Sequence, residues 1–173
     1  MKEVLPHMTR IGVLVTLTAP SHRPALYAVE ATAQKLGVQV LTVPVRTLED
    51  LDGAFAMMAR ERVNGFLAVA SPLTRFQRAR VAELAMKHRL AGMFGTKENV
   101  EAGGLMGYAP DLVDMTRRTA IYIDKILKGA KPADLPVEQA SKYDLVINLK
   151  TAKTLGITIP PSVLLRGCYG RIR

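Results

Sequence analysis

The order of apolar runs along this 173-residue chain predicts an α/β fold built on a doubly wound parallel sheet. Three observations carry the prediction. Runs of four to seven apolar residues recur through the first hundred positions. Segments of about a dozen residues with helical spacing separate them, and the connections are short. Strands apolar on both faces belong between two helix layers, and right-handed crossovers then place helices on both sides of the sheet.

Each element follows from local pattern. Residues 11–17 are β-branched and apolar and predict the first strand. Residues 24–36 predict a helix with Leu26, Val29, Ala33 and Leu36 on one face, stopped by Gly37. Residues 38–43 predict the second strand. Thr47 is the expected cap of a second helix whose face is Leu48, Leu51, Phe55, Met58 and Ala59. Residues 65–70 predict the third strand, 74–88 the third helix and 91–94 the fourth strand. Beyond Phe94 the rhythm changes. A polar stretch, 96–104, precedes a short strand at 105–108. Pro110 and Asp111 then open a long helix through Leu127, with Leu112, Met115, Thr119, Tyr122, Ile123, Ile126 and Leu127 inward. Gly129 ends it, and 130–141, with Pro132 and Pro136, is an extended connector. A strand at 145–148 and a helix at 149–155 precede Gly156, with Pro160-Pro161 as a stop. The change of rhythm divides the chain into an α/β domain, 1–104, and a crossover helix, connector and C-terminal segment, 105–173.

Composition narrows the function classes. Hydrophobic residues make up 49% of the chain and charged residues 23%, with no long apolar run, which points to a globular domain and not to a disordered or helical membrane chain. The net charge of +9 raises the question of nucleic acid. However, the excess is spread evenly: twelve Lys and Arg face seven Asp and Glu before residue 91, and twelve face eight after it. Among the densest cations (Arg75, Arg78, Arg80, Lys87 and Arg89) Phe76 is the one nearby aromatic. Nucleic-acid grooves concentrate charge and interleave stacking rings, so no nucleic-acid partner is expected. Cys168 is the single cysteine, which excludes an internal disulfide and reads as an exposed thiol. His7, His22 and His88 lack metal-ligand spacing, and His88 completes an apolar stripe with Val81, Leu84 and Ala85 at a helix end. The run after Lys2 and Arg10 imitates a secretory leader, but its β-branched content and the Ala19-Pro20-Ser21 loop read as a buried strand instead.

Parallel sheets collect ligands at the carboxyl ends of their strands. The loops expected there, 16–23, 71–74 and 95–104, supply the hydroxyls of Thr16, Thr18, Ser21, Ser71, Thr74 and Thr96. They also supply Glu98 and Glu101, with Phe94 at the strand end. The same hydroxyls serve equally as helix caps. No nucleophile elbow, zinc-protease motif, P-loop or paired Cys and His occurs, and the Gly103-Gly104-x-x-Gly107 run lacks the strand context of a dinucleotide loop. Asp111 and Asp114 fit the start of a helix better than a metal or proton site. The pattern favours binding over turnover, with no cofactor.

One region is specific enough to identify a family. It contains Val100-Glu101-Ala102-Gly103-Gly104-Leu105-Met106-Gly107-Tyr108-Ala109-Pro110-Asp111 and then 122–139, which opens Tyr122-Ile123-Asp124-Lys125 and closes Leu135-Pro136-Val137-Glu138-Gln139. Further matches run through 145–153 and Gly156-Ile157-Thr158-Ile159-Pro160-Pro161-Ser162. With these blocks the chain closely resembles, from about Lys2 to Leu165, the ABC-transporter substrate-binding proteins of the tryptophan/tyrosine-binding-like family. That resemblance implies a lobe of the type I periplasmic-binding-protein fold. It further implies a second lobe closing on a small polar ligand such as an amino acid, an ABC permease partner and a periplasmic location. Thr18, Ser71, Phe94, Thr96, Glu101 and Tyr108 are the candidate ligand or hinge residues by position.

The chain departs from the family pattern in three ways. Met1 falls just ahead of the position expected for the second lobe's first strand, so the leader and most of the N-terminal lobe are expected to be missing, and the expected location is cytoplasmic if Met1 is the true start. It ends in Arg166-Gly167-Cys168-Tyr169-Gly170-Arg171-Ile172-Arg173 where relatives continue into a polar helix. Its first loop reads Thr16-Leu17-Thr18-Ala19-Pro20 in place of an Asn-rich turn. A long helix without its lobe would leave large side chains in water at about 1.5–3 kcal/mol each. A homodimer is therefore expected, with the long helix or C-terminal segment exchanged. Two other readings stand beside binding: a small flavodoxin-like nucleotide- or flavin-handling enzyme using the Ser71 and Thr96 loops, and a purely structural dimeric domain.

Overall fold

The apolar runs become strands in the expected order: β1 (Arg10–Val15), β2 (Gln39–Pro44), β3 (Gly65–Ala68), β4 (Ala91–Phe94) and β5 (Met106–Pro110). The computed structural model describes residues 1–167 and 171–172, so the Cys168 thiol lies outside the described residues. The helices are α1 (His22–Lys35), α2 (Asp50–Arg60), α3 (Pro72–Phe76), α4 (Arg78–Lys87), α5 (Lys97–Glu101), α6 (Leu112–Leu127), α7 (Leu149–Leu155) and α8 (Pro161–Arg166). β6 (Tyr143–Asn148) and the two-residue β7 (Arg171–Ile172) complete one sheet of order β2-β1-β3-β4-β5-β6-β7.

β1 to β5 are mutually parallel, and the chain moves left from β1 to β2 and then right across β1 to β3, which makes the sheet doubly wound. Alternation along β1 separates two cores. Leu14 faces Leu51, Phe55 and Met58 of α2 and Val81 and Leu84 of α4. Ile11, Val13 and Val15 face α1 through Ala33 and Leu26. Three rings fill the first core: Phe66 meets Phe55 edge-on at 5.1 Å and Phe94 edge-on at 5.6 Å. Gly92 makes room for them, since a Cβ there would lie 2.7 Å from Phe66. His88 stacks on Phe55 at 6.5 Å, in the packed helix-end role its spacing predicts.

Several local expectations change. Thr47 does not cap α2; the Asp50 carboxylate accepts the Arg46 and Thr47 N–H groups, because an aspartate in the first turn reaches back over both amides. Leu36 and Leu48 lie at helix margins and are exposed. The third helix is split at Gln77 into α3 and α4, and Ser71 caps α3, so the helical stretch starts earlier than 74. Pro161 opens α8 instead of stopping the chain, since proline fits the first helical position. The sheet is not wholly parallel. β6 pairs antiparallel to β5, with Pro110 opposite Tyr143. The chain leaves β5 at its carboxyl end, makes the α6 and connector excursion, and re-enters at that same end. α6 itself has no buried residue, so its apolar stripe is not inward among the described residues.

Candidate functional site

The carboxyl edge of β1, β3, β4 and β5 gathers the loops that a ligand would meet. His22 organises the first two. Its ring is 2% exposed, with Nδ1 accepting the Thr16 N–H at 2.9 Å and Nε2 donating to the Ala70 carbonyl at 3.0 Å. One imidazole therefore ties the loop after β1 to the loop after β3. The Thr16 hydroxyl beside it is buried and has no hydrogen-bond partner among the described residues.

A second polar chain joins the loops after β3 and β4. Ser71 Oγ accepts the Thr74 N–H at 3.1 Å, and Thr74 Oγ1 accepts the Ser71 N–H at 3.1 Å, a reciprocal capping box. The Thr74 carbonyl accepts Asn99 Nδ2 at 3.0 Å, and Asn99 Oδ1 accepts the Thr96 hydroxyl at 2.5 Å. Asn99 is buried, so this chain is sheltered from water. It leaves Thr96 with free acceptor capacity at the rim of a cleft of about 100 Å³, lined among others by Arg75, Glu98, Asp111 and Asp144. The Arg75 guanidinium stands 3.5 Å from Glu98. Opposite charges thus flank one small space.

The cleft borders the crossing between β5 and β6. The Asp111 N–H donates to the Lys142 carbonyl at 3.0 Å, and Lys142 Nζ donates to Asp111 Oδ2 at 2.6 Å. Asp111 Oδ1 accepts the Val113 and Asp114 N–H groups and caps α6. The Lys142 hydrogen bond first, and the Asp114 amide next, hold the Asp111 carboxyl below the usual range. Farther out, Arg118 donates to Asp114, Glu138 and Ser141, and the Tyr122 hydroxyl donates to the Pro136 carbonyl. These bonds hold α6 to the connector and leave a groove of about 460 Å³ between them. That groove is remote from the strand ends.

The structure distributes the residues singled out by sequence. Ser71 and Thr96 come together through Thr74 and Asn99, but the Ser71 hydroxyl is occupied as a cap. Thr18 is exposed on the loop tied down by His22. Phe94 is corrected from the rim to the core: it is 1% exposed and packed on Phe66, because its side chain points to the α2–α4 layer. Glu101 is exposed at the far end of α5, about one turn from the cleft. Tyr108 lies on the sheet face, half exposed and stacked on Tyr143 at 5.2 Å. Sequence reasoning passed over His22, Arg75, Asn99 and Asp144. A lone histidine directly after a strand–loop unit was the available signal for the first. Among the described residues no cluster of His, Cys, Asp or Glu is arranged for a metal, and no helix is long and apolar enough to cross a membrane.

Comparison with known proteins gives this geometry a context. A conserved domain protein from Vibrio cholerae is 26% identical with a TM-score of 0.90, covering 98% of this chain. The ABC domain from Streptococcus pneumoniae, solved in complex with L-Trp, is 29% identical with a TM-score of 0.89, also over 98% of the chain. The fold is shared as well by the substrate-binding protein CD0873 from Clostridium difficile, at 19% identity and a TM-score of 0.74. In each case the chain spans 57% of the length of the solved protein. No curated protein matches the sequence. The fold is that of one lobe of a type I periplasmic-binding protein. The model of the family described as ABC transporter substrate binding protein matches residues 1–168, and the chain belongs to that family.

Proposed function

We propose that this chain serves as a ligand-holding lobe of an ABC importer's substrate-binding protein, taking a small zwitterion, an amino acid, at the carboxyl-edge cleft. The observation that carries the reading is the gathering of Arg75, Glu98 and Asp144 around one small space at the strand ends, with Arg75 and Glu98 paired at 3.5 Å. A guanidinium matches an α-carboxylate and a carboxylate matches an α-ammonium, so an amino acid entering here would exchange the Arg75–Glu98 pairing for contacts with its own two charged ends. Thr96 adds an acceptor at the rim, while Thr18 stands exposed on the first loop, outside the lining of the cleft. Tyr108 and Glu101 belong to the hinge side of the lobe, and Ser71 acts through the loop that its cap fixes. The pneumococcal relative's complex with L-Trp supports the ligand class. In this reading residues 1–104 provide the cleft and 105–173 the crossing. The partner is a membrane permease and the location extracytoplasmic. A second copy of the chain covers the apolar arc of α6.

One lobe buries only part of its ligand, so binding is expected to be weak. Thermal-shift titration with amino acids, nucleotides and flavin mononucleotide tests the reading. Stabilisation by amino acids alone, lost in Arg75→Ala, is expected. Stabilisation by nucleotide or flavin, or an unchanged response in Arg75→Ala, overturns it.

A further inference from the structure

Among the described residues, six helices end in the same backbone motif, with one left-handed residue after the last turn. After α1, α5, α6 and α7 that residue is glycine: Gly37, Gly103, Gly129 and Gly156. After α2 and α4 it is arginine, Arg62 with φ of 52° and Arg89 with φ of 53°. The hydrogen bonds are of one kind. The Arg62 N–H donates to the Ala59 carbonyl at 3.1 Å and the Val63 N–H to the Met58 carbonyl at 3.1 Å. The Arg89 N–H donates to Met86 at 3.1 Å and the Leu90 N–H to Ala85 at 2.8 Å. A side chain strains this conformation and glycine does not, so the two arginines stand where the backbone favours another residue. The helix dipole does not account for them. A cation inside the last turn satisfies the dipole without strain, and Lys35, Arg60 and Lys87 already occupy those places.

The two arginines are also neighbours. Arg62 leads into β3 at Gly65 and Arg89 into β4 at Ala91, and Gly65 and Ala91 are register partners. Both are exposed, and among the described residues neither makes an ion pair or side-chain hydrogen bond. Arg10 at the start of β1 joins Lys35, Arg60 and Lys87 at this amino edge of the sheet, with Glu61 as counter-charge to Arg10 and Arg60. The edge lies opposite the cleft.

We propose that this edge docks the protein on an anionic phospholipid surface. Its chemistry selects that partner. The helix C-termini here turn their carbonyls outward, so a small anion settling on the backbone would meet negative dipole ends. Extended arginine stems carry their charge beyond those carbonyls, to the level at which the phosphates of a continuous surface lie. A single-stranded nucleic acid would call for stacking rings, and the exposed aromatics Tyr27, Phe76, Tyr108 and Tyr143 lie elsewhere. Docking by the amino edge leaves the cleft side open to solvent. The inference goes beyond the ligand-binding reading and does not depend on it.

Vesicle flotation with the full chain tests it, using phosphatidylcholine with and without phosphatidylglycerol. Binding that requires phosphatidylglycerol and is lost with added salt is expected. Arg62→Gly with Arg89→Gly removes the two charges while relieving the backbone. That variant should keep or raise its melting temperature yet bind the anionic vesicles about tenfold or more weakly. Arg117→Gln with Lys125→Gln on α6 removes the same charge elsewhere and should change binding by less than about twofold. Absence of binding by the wild-type chain overturns the proposal. Equal losses in the two double variants overturn it as well, since diffuse net charge would then suffice. Binding to soluble polyglutamate without binding to vesicles assigns the edge to an acidic protein and overturns the lipid assignment.

Discussion

His22 uses both ring nitrogens between loops that are far apart in sequence, and the order of the ligand-facing edge depends on that single side chain. In His22→Leu the Thr16 N–H and the Ala70 carbonyl remain beside an apolar side chain with no partner. Each unsatisfied buried group costs about 1–3 kcal/mol, so a loss of about 2–6 kcal/mol in urea unfolding is expected. His22→Gln, which retains one donor and one acceptor, should recover part of it. Equal stability of the leucine variant and wild type would show that the two loops do not need the ring. The Ser71–Thr74–Asn99–Thr96 chain acts in the same way one strand over. The hydroxyls at this edge are first structural, and Arg75, Glu98 and Asp144 line the small cleft to which the proposed recognition belongs.

Among the elements, α6 depends most on its first residues, since none of its residues is fully buried. Asp111 caps it and also receives Lys142, which lowers the carboxyl's affinity for protons and raises that of the lysine amine. A carboxyl lowered in the folded state adds stability that is fully present above its unfolded value, near pH 4. That contribution disappears as the pH falls through the lowered folded value. The protection of the Val113 and Asp114 amides, measured relative to their intrinsic exchange rates, should therefore fall on acidification below about pH 4, and in Asp111→Asn this acid dependence should vanish. A wild-type helix start that is insensitive to acid would show that the cap contributes nothing. The remaining ties, from Arg118 to Asp114, Glu138 and Ser141, hold α6 to its connector so that the excursion from 111 to 142 moves as a unit.

At the scale of the whole molecule, the α/β lobe is closed by two helix layers, but α6 leaves the lobe with Leu112, Val113, Met115, Ile123, Ile126 and Leu127 exposed. An apolar surface of this extent drives association. Light scattering across micromolar concentrations should report a dimer, and Ile123→Asp with Leu127→Asp should yield a folded monomer. A wild-type chain that stays monomeric over that range would exclude the second copy as the cover. The three surfaces of the molecule are then distinct in chemistry: a charged cleft at the carboxyl edge, an arginine-bearing amino edge and an apolar projecting helix.

Much of the architecture was legible before any coordinates. The first four strands, the glycine stops at Gly37, Gly129 and Gly156, the Asp111 cap and the helix at 149–155 all follow from residues within one turn or one strand of each other. The family, too, was visible in the blocks around 100–111 and 122–139, and the match over residues 1–168 bears it out. What local pattern could not supply was direction and partnership. An apolar run such as 143–148 has the same alternation whichever way it enters the sheet, and only the return of the chain at the carboxyl edge makes β6 antiparallel. The same holds for Phe94, whose place in the core depends on the pleat and on Phe66 opposite, and for His22, whose second partner is 48 residues away. Periodicity records which side chains avoid water. Which of them meet is decided by the path of the whole chain, because contacts between distant residues form only when the sheet brings them together.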